Sequence, residues 1–344
     1  MGAPTNGTAA PPPVPGSAVR WGIVGPGHIA GVFAQGLRLA RGGTLHAVAS
    51  RDPARAAAFA AEHGAARRHG SYDDLIADPE VDAVYVATPH AHHAAPTVAA
   101  LRAGKPVLCE KPLGIDPATT EQMLAASADS GTFLMEALWS RFLPAYVALR
   151  DELAAHTIGR PEHVEAELGF RASYDAGHRL FDPALGGGAT LDIGVYPLQL
   201  AMLVLGPVED VTASGSLAPT GVDASVVAEL RHAGGTTSRV VASLTEDLPG
   251  TAQVLGTHGR LELPGPMYAP QALRVLTTAA SPDGPEIVSD TTLAAPFEGG
   301  MQFQVEHVHA CLAQGLRESP VMPHAVTRHL ASVMAQVRRQ LGAV

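Results

Sequence analysis

The sequence predicts an α/β protein in two parts. A first domain is built on a parallel sheet, and an α+β domain with a largely antiparallel open sheet follows it. Three observations lead there. Short apolar runs alternate with helical patterns over the first part of the chain, and a glycine-rich turn joins the first run to the first helix. Beyond about residue 145 strand-like runs follow one another with few helices between them.

A chain of 344 residues exceeds the size at which one hydrophobic core keeps growing, so two domains are expected. The boundaries are read as a tail over 1–18, a first domain over 19–143 and a second over 144–344. With 46% hydrophobic and 16% charged residues the composition is that of a globular protein. The net charge of −10 argues against a nucleic-acid partner, which needs a basic face. No continuous apolar stretch reaches about 18 residues, so no membrane span is expected. Cys109 and Cys311 are too few for a disulfide framework, and Cys109 reads as a small core hydrophobe. The opening "MGAPTNGTAAPPPVPGSAVR" has neither an apolar signal core nor paired arginines. It reads as a disordered tail, and a cytoplasmic location follows by default.

The elements come in order. "VRWGIVG" from Val19 is the first strand, and "TLHAVAS" (44–50), "VDAVYVAT" (81–88) and "PVLCE" (106–110) repeat its apolar character. Between them Ile29, Val32, Phe33, Gly36, Leu37 and Ala40 recur at helical spacing, and 53–63 is rich in alanine. "HHAAPTVAALRAG" stops at Gly104, a C-cap. Apolar strands alternating with helices belong to a parallel sheet covered on both faces. "GTFLMEALW" (131–139) reads as one further strand, and a helix then spans Gly187 to Leu205. Strands are expected at 161–170, 208–217, 223–232, 236–244, 251–263 and 272–278. Two helical patterns close the chain, one with Val305, Val308 and Leu312, the other with Val326, Leu330, Val333 and Val337. An antiparallel sheet can leave one face open, where apolar outward residues would need a cover. The cleft between the domains is the expected site.

"GPGHIA", from Gly25 to Ala30, follows the first strand and opens the first helix, the context a dinucleotide fingerprint requires. Gly25 permits the tight turn and Gly27 lets the backbone approach a pyrophosphate. Ala30 keeps the helix close to the sheet, and the helix N-terminus, with His28 and Ile29, faces the phosphates. The second strand ends "ASRD". An acidic residue at that tip would serve the ribose of NAD. Ser50 and Arg51 instead offer a hydroxyl and a guanidinium to a 2′-phosphate, with Arg55 one turn later, so NADP is the expected cofactor. Asp52 is also placed to cap the helix that starts at Pro53.

"TPHAHH" crowds His90, His92 and His93 together, but no carboxylate or cysteine stands near enough in sequence to complete a metal site. No metal is expected. The segment follows a strand and is placed to line the nicotinamide end of the cofactor site or to cap the next helix. The individual roles of His90 and His92 stay open.

"VLCEKPLG" (107–114) ends an apolar strand on Glu110 and Lys111. Charged side chains are rarely fully buried unless paired, so the strand delivers them to a cleft or a solvated edge. In "GGGATLDIGVYPLQLA" (186–201), Asp192 and Tyr196 stand four residues apart, on one face of a helix. A tyrosine works as an acid–base group at neutral pH only if its pKa is lowered, and Lys111 is a source of that lowering. A half-buried tyrosine beside a carboxylate is the other reading of the spacing.

Together "GPGHIA", "TPHAHH", "EKP" and "GGGATLDIGVY" resemble the Gfo/Idh/MocA oxidoreductases, from about Val19 onward. The resemblance implies a Rossmann domain and an open α/β domain that often mediates oligomerisation, hence a homodimer or higher homo-oligomer. The family's Glu-Lys-Pro motif falls on Glu110, Lys111 and Pro112, with Lys111 catalytic and Glu110 close to charge or cofactor. Its Thr-Pro-Asn-x-x-His motif falls on Thr88, Pro89 and His93, with His90 in place of asparagine. Tyr196 stands where many members carry histidine in Asp-x-Gly-x-His. That variant resembles the branch containing dimeric dihydrodiol dehydrogenase and NADP-dependent D-xylose dehydrogenase. "MEALWSRFLP" and "HRLFDPALGGG" resemble the same branch and nominate Trp139, Arg141 and Arg179 for the substrate pocket. Pro112 rigidifies its turn, through a cis or a trans bond.

The function expected from these residues is reversible hydride transfer between NADP(H) and a small polyhydroxylated substrate, an aldose or a cyclic diol. Tyr196 exchanges the hydroxyl proton, Lys111 lowers its pKa and stabilises the alkoxide, and Asp192 orients the substrate or the tyrosine. The alternative is a catalytically silent NADP-binding sensor of the same fold, against which the presence of both Lys111 and Tyr196 counts. The substrate itself is not legible, because loops shape the pocket.

Overall fold

The computed structural model describes residues 18–280, 284 and 286–344. The tail expected over 1–18 lies, apart from Ala18, outside the described residues.

The first six strands are β1 (Val19–Val24), β2 (Gly43–Ala49), β3 (Arg67–His69), β4 (Ala83–Val86), β5 (Val107–Glu110) and β6 (Leu134–Ala137). They pair in parallel in the order β3-β2-β1-β4-β5-β6. Every residue of β4, β5 and β6 is buried, as an apolar strand covered on both faces requires. The cover comes from α1 (His28–Leu39), α2 (Pro53–His63), α3 (Tyr72–Ala77), α4 (Ala94–Arg102) and α5 (Pro117–Ser130). Asp52 does cap α2, its carboxylate accepting from the amides of Ala54 and Arg55. Because the strand order reverses between β1 and β4, a crevice opens beyond their carboxyl ends. The turns after β1, β4 and β5 all lie at that edge.

The chain leaves this sheet through α6 (Pro144–Ala154). The second sheet contains β7 (Pro161–Gly169), β8 (Val208–Leu217), β9 (Asp223–His232), β10 (Thr237–Ser243), β11 (Ala252–Gly256), β12 (Gly259–Leu263), β13 (Ala272–Ala279) and β14 (Glu286–Ala294). Its order is β14-β13-β12-β11-β7-β10-β9-β8, antiparallel throughout except where β7 runs parallel to β10. One face is covered by a π-helical turn, Thr190–Gly194, that continues into α7 (Val195–Leu205). The helical stretch Pro183–Leu205 is long and apolar enough to cross a membrane, but 83% of its apolar 18-residue window is buried inside this fold. Its apolar character belongs to the core.

The opposite face is polar. A groove of about 650 Å³ there is lined by Glu165, Glu167, Arg239, Gln253, Glu262 and Arg274 among others. Ion pairs cross it, Arg274 to Glu262 at 3.1 Å and to Asp290 at 2.5 Å. The apolar outward face expected from the sequence is therefore corrected to a charged one.

Several elements depart from the sequence reading. The single strand expected over 251–263 is a hairpin, β11 and β12, turning at Thr257-His258. Strand β3 reads only Arg-Arg-His, and nearly every residue of β14 is exposed, so neither carries an apolar pattern. The helix expected from Gly187 opens as the π turn at Thr190. The last helices, α8 (Met301–Ala313) and α9 (His324–Leu341), return to the first sheet. On α8, His309 Nε2 accepts from Trp21 Nε1 at 3.0 Å, and on α9 Arg328 pairs with Glu121 at 2.7 Å. A single buried apolar cluster runs from Trp21 and Phe33 through Tyr146 to Val164 and Val240. Burying each such side chain is worth about 1.5–3 kcal/mol. We propose the domain boundary at 143/144, just before α6, with α8 and α9 packed back across it.

Candidate active site

The glycine turn after β1 is shaped by its backbone. Gly25 has φ +90°, and a Cβ there would stand 3.1 Å from the Ala87 carbonyl group after β4. At Gly27 a Cβ would meet nothing within 4 Å, so the space over the start of α1 is open. Gly27 offers no side-chain cap, leaving the first amides of the helix, beginning with His28 and Ile29, for a ligand. Ala30 is fully buried against the sheet. This is a cradle that a pyrophosphate fits. At the tip of β2, Ser50 Oγ accepts from the Asp52 amide at 3.1 Å, while Arg51 is exposed. Arg55 reaches back to the glycine turn, donating to the Pro26 carbonyl at 3.3 Å. The Arg55 guanidinium therefore borders the rim of the cradle.

After β4 the histidines separate. Thr88 donates its hydroxyl to the His92 carbonyl at 2.9 Å, and Pro89 and His92 face solvent. His93 is fully buried, with Nε2 2.9 Å from the Thr88 carbonyl and Nδ1 2.9 Å from that of Pro112. Burial holds its pKa down to about 4. A side chain with both ring nitrogens against backbone carbonyls has none left for a ligand, so the expected cofactor contact by His93 is corrected to a clamp between two turns. His90 donates from Nδ1 to the Gly186 carbonyl at 2.9 Å, tying the β4 turn to the second domain. Burial, then the charge of Lys111, lowers its pKa to about 3. Its Nε2 is therefore unprotonated at neutral pH and lies 3.8 Å from Asp192 Oδ1. Among the described residues no cluster of His, Cys, Asp and Glu has metal-binding geometry.

Strand β5 ends by splitting its two charges. Glu110 is buried, accepting from Tyr85 Oη and from the Lys111 amide, and burial raises its pKa. Lys111, followed by a cis bond to Pro112, extends across the crevice. Its Nζ donates to the Asp192 carbonyl at 2.5 Å and stands 3.7 Å from the Asp192 carboxylate. Arg179 approaches that carboxylate from the other side at 2.7 Å. Burial alone would raise the Asp192 pKa, but the charges of Lys111 and Arg179 outweigh it and hold it at about 2. Asp192 is an anion at any working pH.

Tyr196 lies just beyond. Its ring sits under Lys111, whose Nζ is 5.1 Å from the ring centroid, and Trp139 Nε1 donates to its hydroxyl at 3.2 Å. Burial, then the charge of Glu110, pushes its pKa well above the usual tyrosine value. The expected lowering by Lys111 is thus corrected: the ammonium group faces the ring and Asp192, and the hydroxyl answers to Trp139 and Glu110.

Of the nominated pocket residues, Trp139 and Arg179 stand at the site and Arg141 does not. Arg141 is 2% exposed and spends its guanidinium on Gln199 Oε1, the Gln199 carbonyl and the Val321 carbonyl. It braces the second domain. The reading from sequence also missed Tyr85, which bonds Glu110, and Tyr268, whose ring lies 5.3 Å from that of Tyr196. Tyr268 sits in an irregular loop with no pattern around it. Tyr85 looks like any core aromatic of a buried strand.

Residues 19–138 match the family model described as an oxidoreductase family with an NAD-binding Rossmann fold. Residues 146–262 match the GFO/IDH/MocA C-terminal domain. Similarity extends over nearly the full length to trans-1,2-dihydrobenzene-1,2-diol dehydrogenase of Bos taurus, 38% identical over 94% of this chain and 97% of the relative. The chain belongs to the Gfo/Idh/MocA family of oxidoreductases. The Homo sapiens enzyme of the same name is likewise 38% identical, over 94% and 97% of the two chains. Among solved structures, an aldose–aldose oxidoreductase from Caulobacter crescentus has a TM-score of 0.81 at 26% identity, covering 94% of this chain and 97% of that one. A levoglucosan dehydrogenase in complex with NADH and levoglucosan superposes with a TM-score of 0.85 over 94% and 97%, a likeness of fold at 21% identity.

Proposed function

We propose that the protein is an NADP-dependent dehydrogenase interconverting a secondary alcohol and a carbonyl on a small polyhydroxylated substrate, a cyclic diol or an aldose. The observation that carries this reading is the convergence of Lys111, Asp192 and Tyr196 at the crevice beside the glycine cradle. The relatives named as dihydrodiol dehydrogenases and the aldose-acting structure support the substrate class. Arg55 at the rim of the cradle, and an exposed Arg51 at the tip of β2 where no acidic residue stands ready for a ribose, support NADP over NAD.

When bound, the nicotinamide ring supplies the hydride donor or acceptor. The residues of the chain handle the proton and the charge. Tyr196, with its raised pKa, holds its proton at neutral pH and can give it to a carbonyl oxygen during reduction. Lys111 uses one N–H on the Asp192 carbonyl and keeps two more donors for the developing alkoxide. Asp192 accepts from substrate hydroxyls, while Arg179 and Lys111 fix its orientation. The polar face of the second sheet, with charges of both signs, is a self-complementary surface through which two copies form a dimer.

The test is a screen of vicinal diols and aldoses followed by NADPH absorbance, run in parallel with NADH. Turnover of at least one diol or aldose with NADP(H) is the expected result. Tight NADPH binding with no turnover across the screen would instead make the protein a sensor.

A further inference from the structure

Among the described residues the hydroxyl of Tyr196 receives one hydrogen bond, and it comes from an aromatic side chain. Trp139 follows β6 in a short 3-10 turn, Trp139–Phe142. Its indole is held in place from two sides. The Tyr268 ring packs edge-on at 6.1 Å, and Gly300, with φ +122°, leaves room where a Cβ would come within 2.6 Å of Trp139 Cζ3. So fixed, Nε1 donates to Tyr196 Oη at 3.2 Å.

We propose that Trp139 is the positioning residue of the acid–base tyrosine. Its N–H occupies a lone pair of the phenol oxygen, leaves the phenol hydrogen for the substrate oxygen, and stabilises the phenolate once that proton has left. The inference rests on Tyr196 being the acid–base group of the proposed reaction. An indole N–H can only donate, so the direction of this bond is not in doubt and the tyrosine must be the acceptor. Other charges around the phenol do not supply a second donor. Glu110 and Asp192 face it as carboxylates that oppose ionisation, and Tyr85, Tyr146 and Tyr268 are further phenols. Lys111 lies over the ring face.

Trp21 and Trp139 are the two tryptophans of the chain, so an indole N–H spectrum holds two tryptophan signals. Trp139→Phe identifies one by its loss. In Tyr196→Phe that same signal should shift while the other stays, and this readout needs neither cofactor nor turnover. With substrate, Trp139→Phe should lower kcat by about 10- to 100-fold, the range for losing a hydrogen bond to a charged group. KM should stay within about threefold, and the acidic limb of the oxidation pH profile, which reports the phenolate base, should move up by about one unit. An unmoved indole signal in Tyr196→Phe would overturn the proposal. So would a Trp139→Phe enzyme with raised KM, unchanged kcat and an unmoved limb, which would make the indole a substrate contact. Full activity in Tyr196→Phe would bring down the underlying acid–base reading instead, a result the indole spectrum does not depend on.

Discussion

Lys111 and Asp192, 81 residues apart, meet backbone to side chain: the ammonium group donates to the aspartate's carbonyl at 2.5 Å and stands 3.7 Å from its carboxylate. The lysine belongs to the end of a parallel strand and the aspartate to a π-helical turn over the other sheet. Their contact joins the cofactor side of the crevice to the substrate side. Lys111→Met should lower kcat by about 10²–10⁴-fold, as should Tyr196→Phe. Because Lys111 touches Asp192, the Lys111→Met/Asp192→Asn pair should lose less than the product of the single losses. Steady-state kinetics of the four proteins decides it, and strictly multiplicative losses would separate the two residues.

Asp192 also bears on stability. Its pKa is depressed in the folded protein, to about 2, from an unfolded value of 3.8. A depressed acid contributes stability that is present above the unfolded pKa and is lost as pH falls through the folded one. Asp192→Asn should therefore cost on the order of 2 kcal/mol, and the cost should be the same at about pH 5 as at about pH 7. Urea titrations at the two pH values measure it. No cost at either pH, or a cost that grows toward about pH 5 as a raised carboxyl pKa would make it, would mean the carboxylate is not held down by its cationic neighbours.

Arg51→Asp should narrow or reverse the cofactor preference. Wild type is expected to bind NADPH at least about tenfold more tightly than NADH, since a guanidinium pairs with the 2′-phosphate and an aspartate repels it. Fluorescence titration of both cofactors gives the ratio, and equal wild-type affinities would remove the assignment.

Arg141 gives a contrasting case. Removing a buried guanidinium strands the two carbonyls and the amide oxygen it serves. Arg141→Leu should cost more than about 2 kcal/mol of stability while the folded fraction keeps its KM within about twofold. A raised KM with unchanged melting would return Arg141 to the substrate pocket.

Reversing charge on the open sheet face, with Arg239→Glu and Arg274→Glu together, should break the proposed dimer. Light scattering of wild type at micromolar concentration should give twice 35.4 kDa, and the variant 35.4 kDa. A wild-type particle at the single-chain mass would refute the interface.

The parts of this site written locally were legible in the sequence. The tight glycine turn and the Asp52 cap follow from neighbours within a few residues, and the backbone has them as read. Directions of long side chains were not legible. Arg141 sits two residues from Trp139, yet one turns into the core and the other toward the crevice, a choice made by Gln199 and Tyr268 from distant elements. That Lys111 follows the end of β5 was legible, but its partner depends on how the π turn docks, and spacing along a regular helix does not encode that. Strand β14 escaped because an edge strand with both faces in water needs no apolar alternation.

The lone parallel pairing in the second sheet has a consequence for how the chain reaches this state. Strand β7 lies between β10 and β11, and its His163 meets Thr237 across a gap of 74 residues. Its nearest successor, β8, ends up at the far edge. During synthesis β7 therefore emerges with both edges unpaired and Val164, Ala166 and Leu168 uncovered, and it waits until the ninety or so residues after it have been made. Closing so long a loop before any contact rewards it slows folding and leaves a sticky strand exposed meanwhile. The strand at the centre of the finished sheet is thus made before either of its neighbours and pairs only after both have followed it.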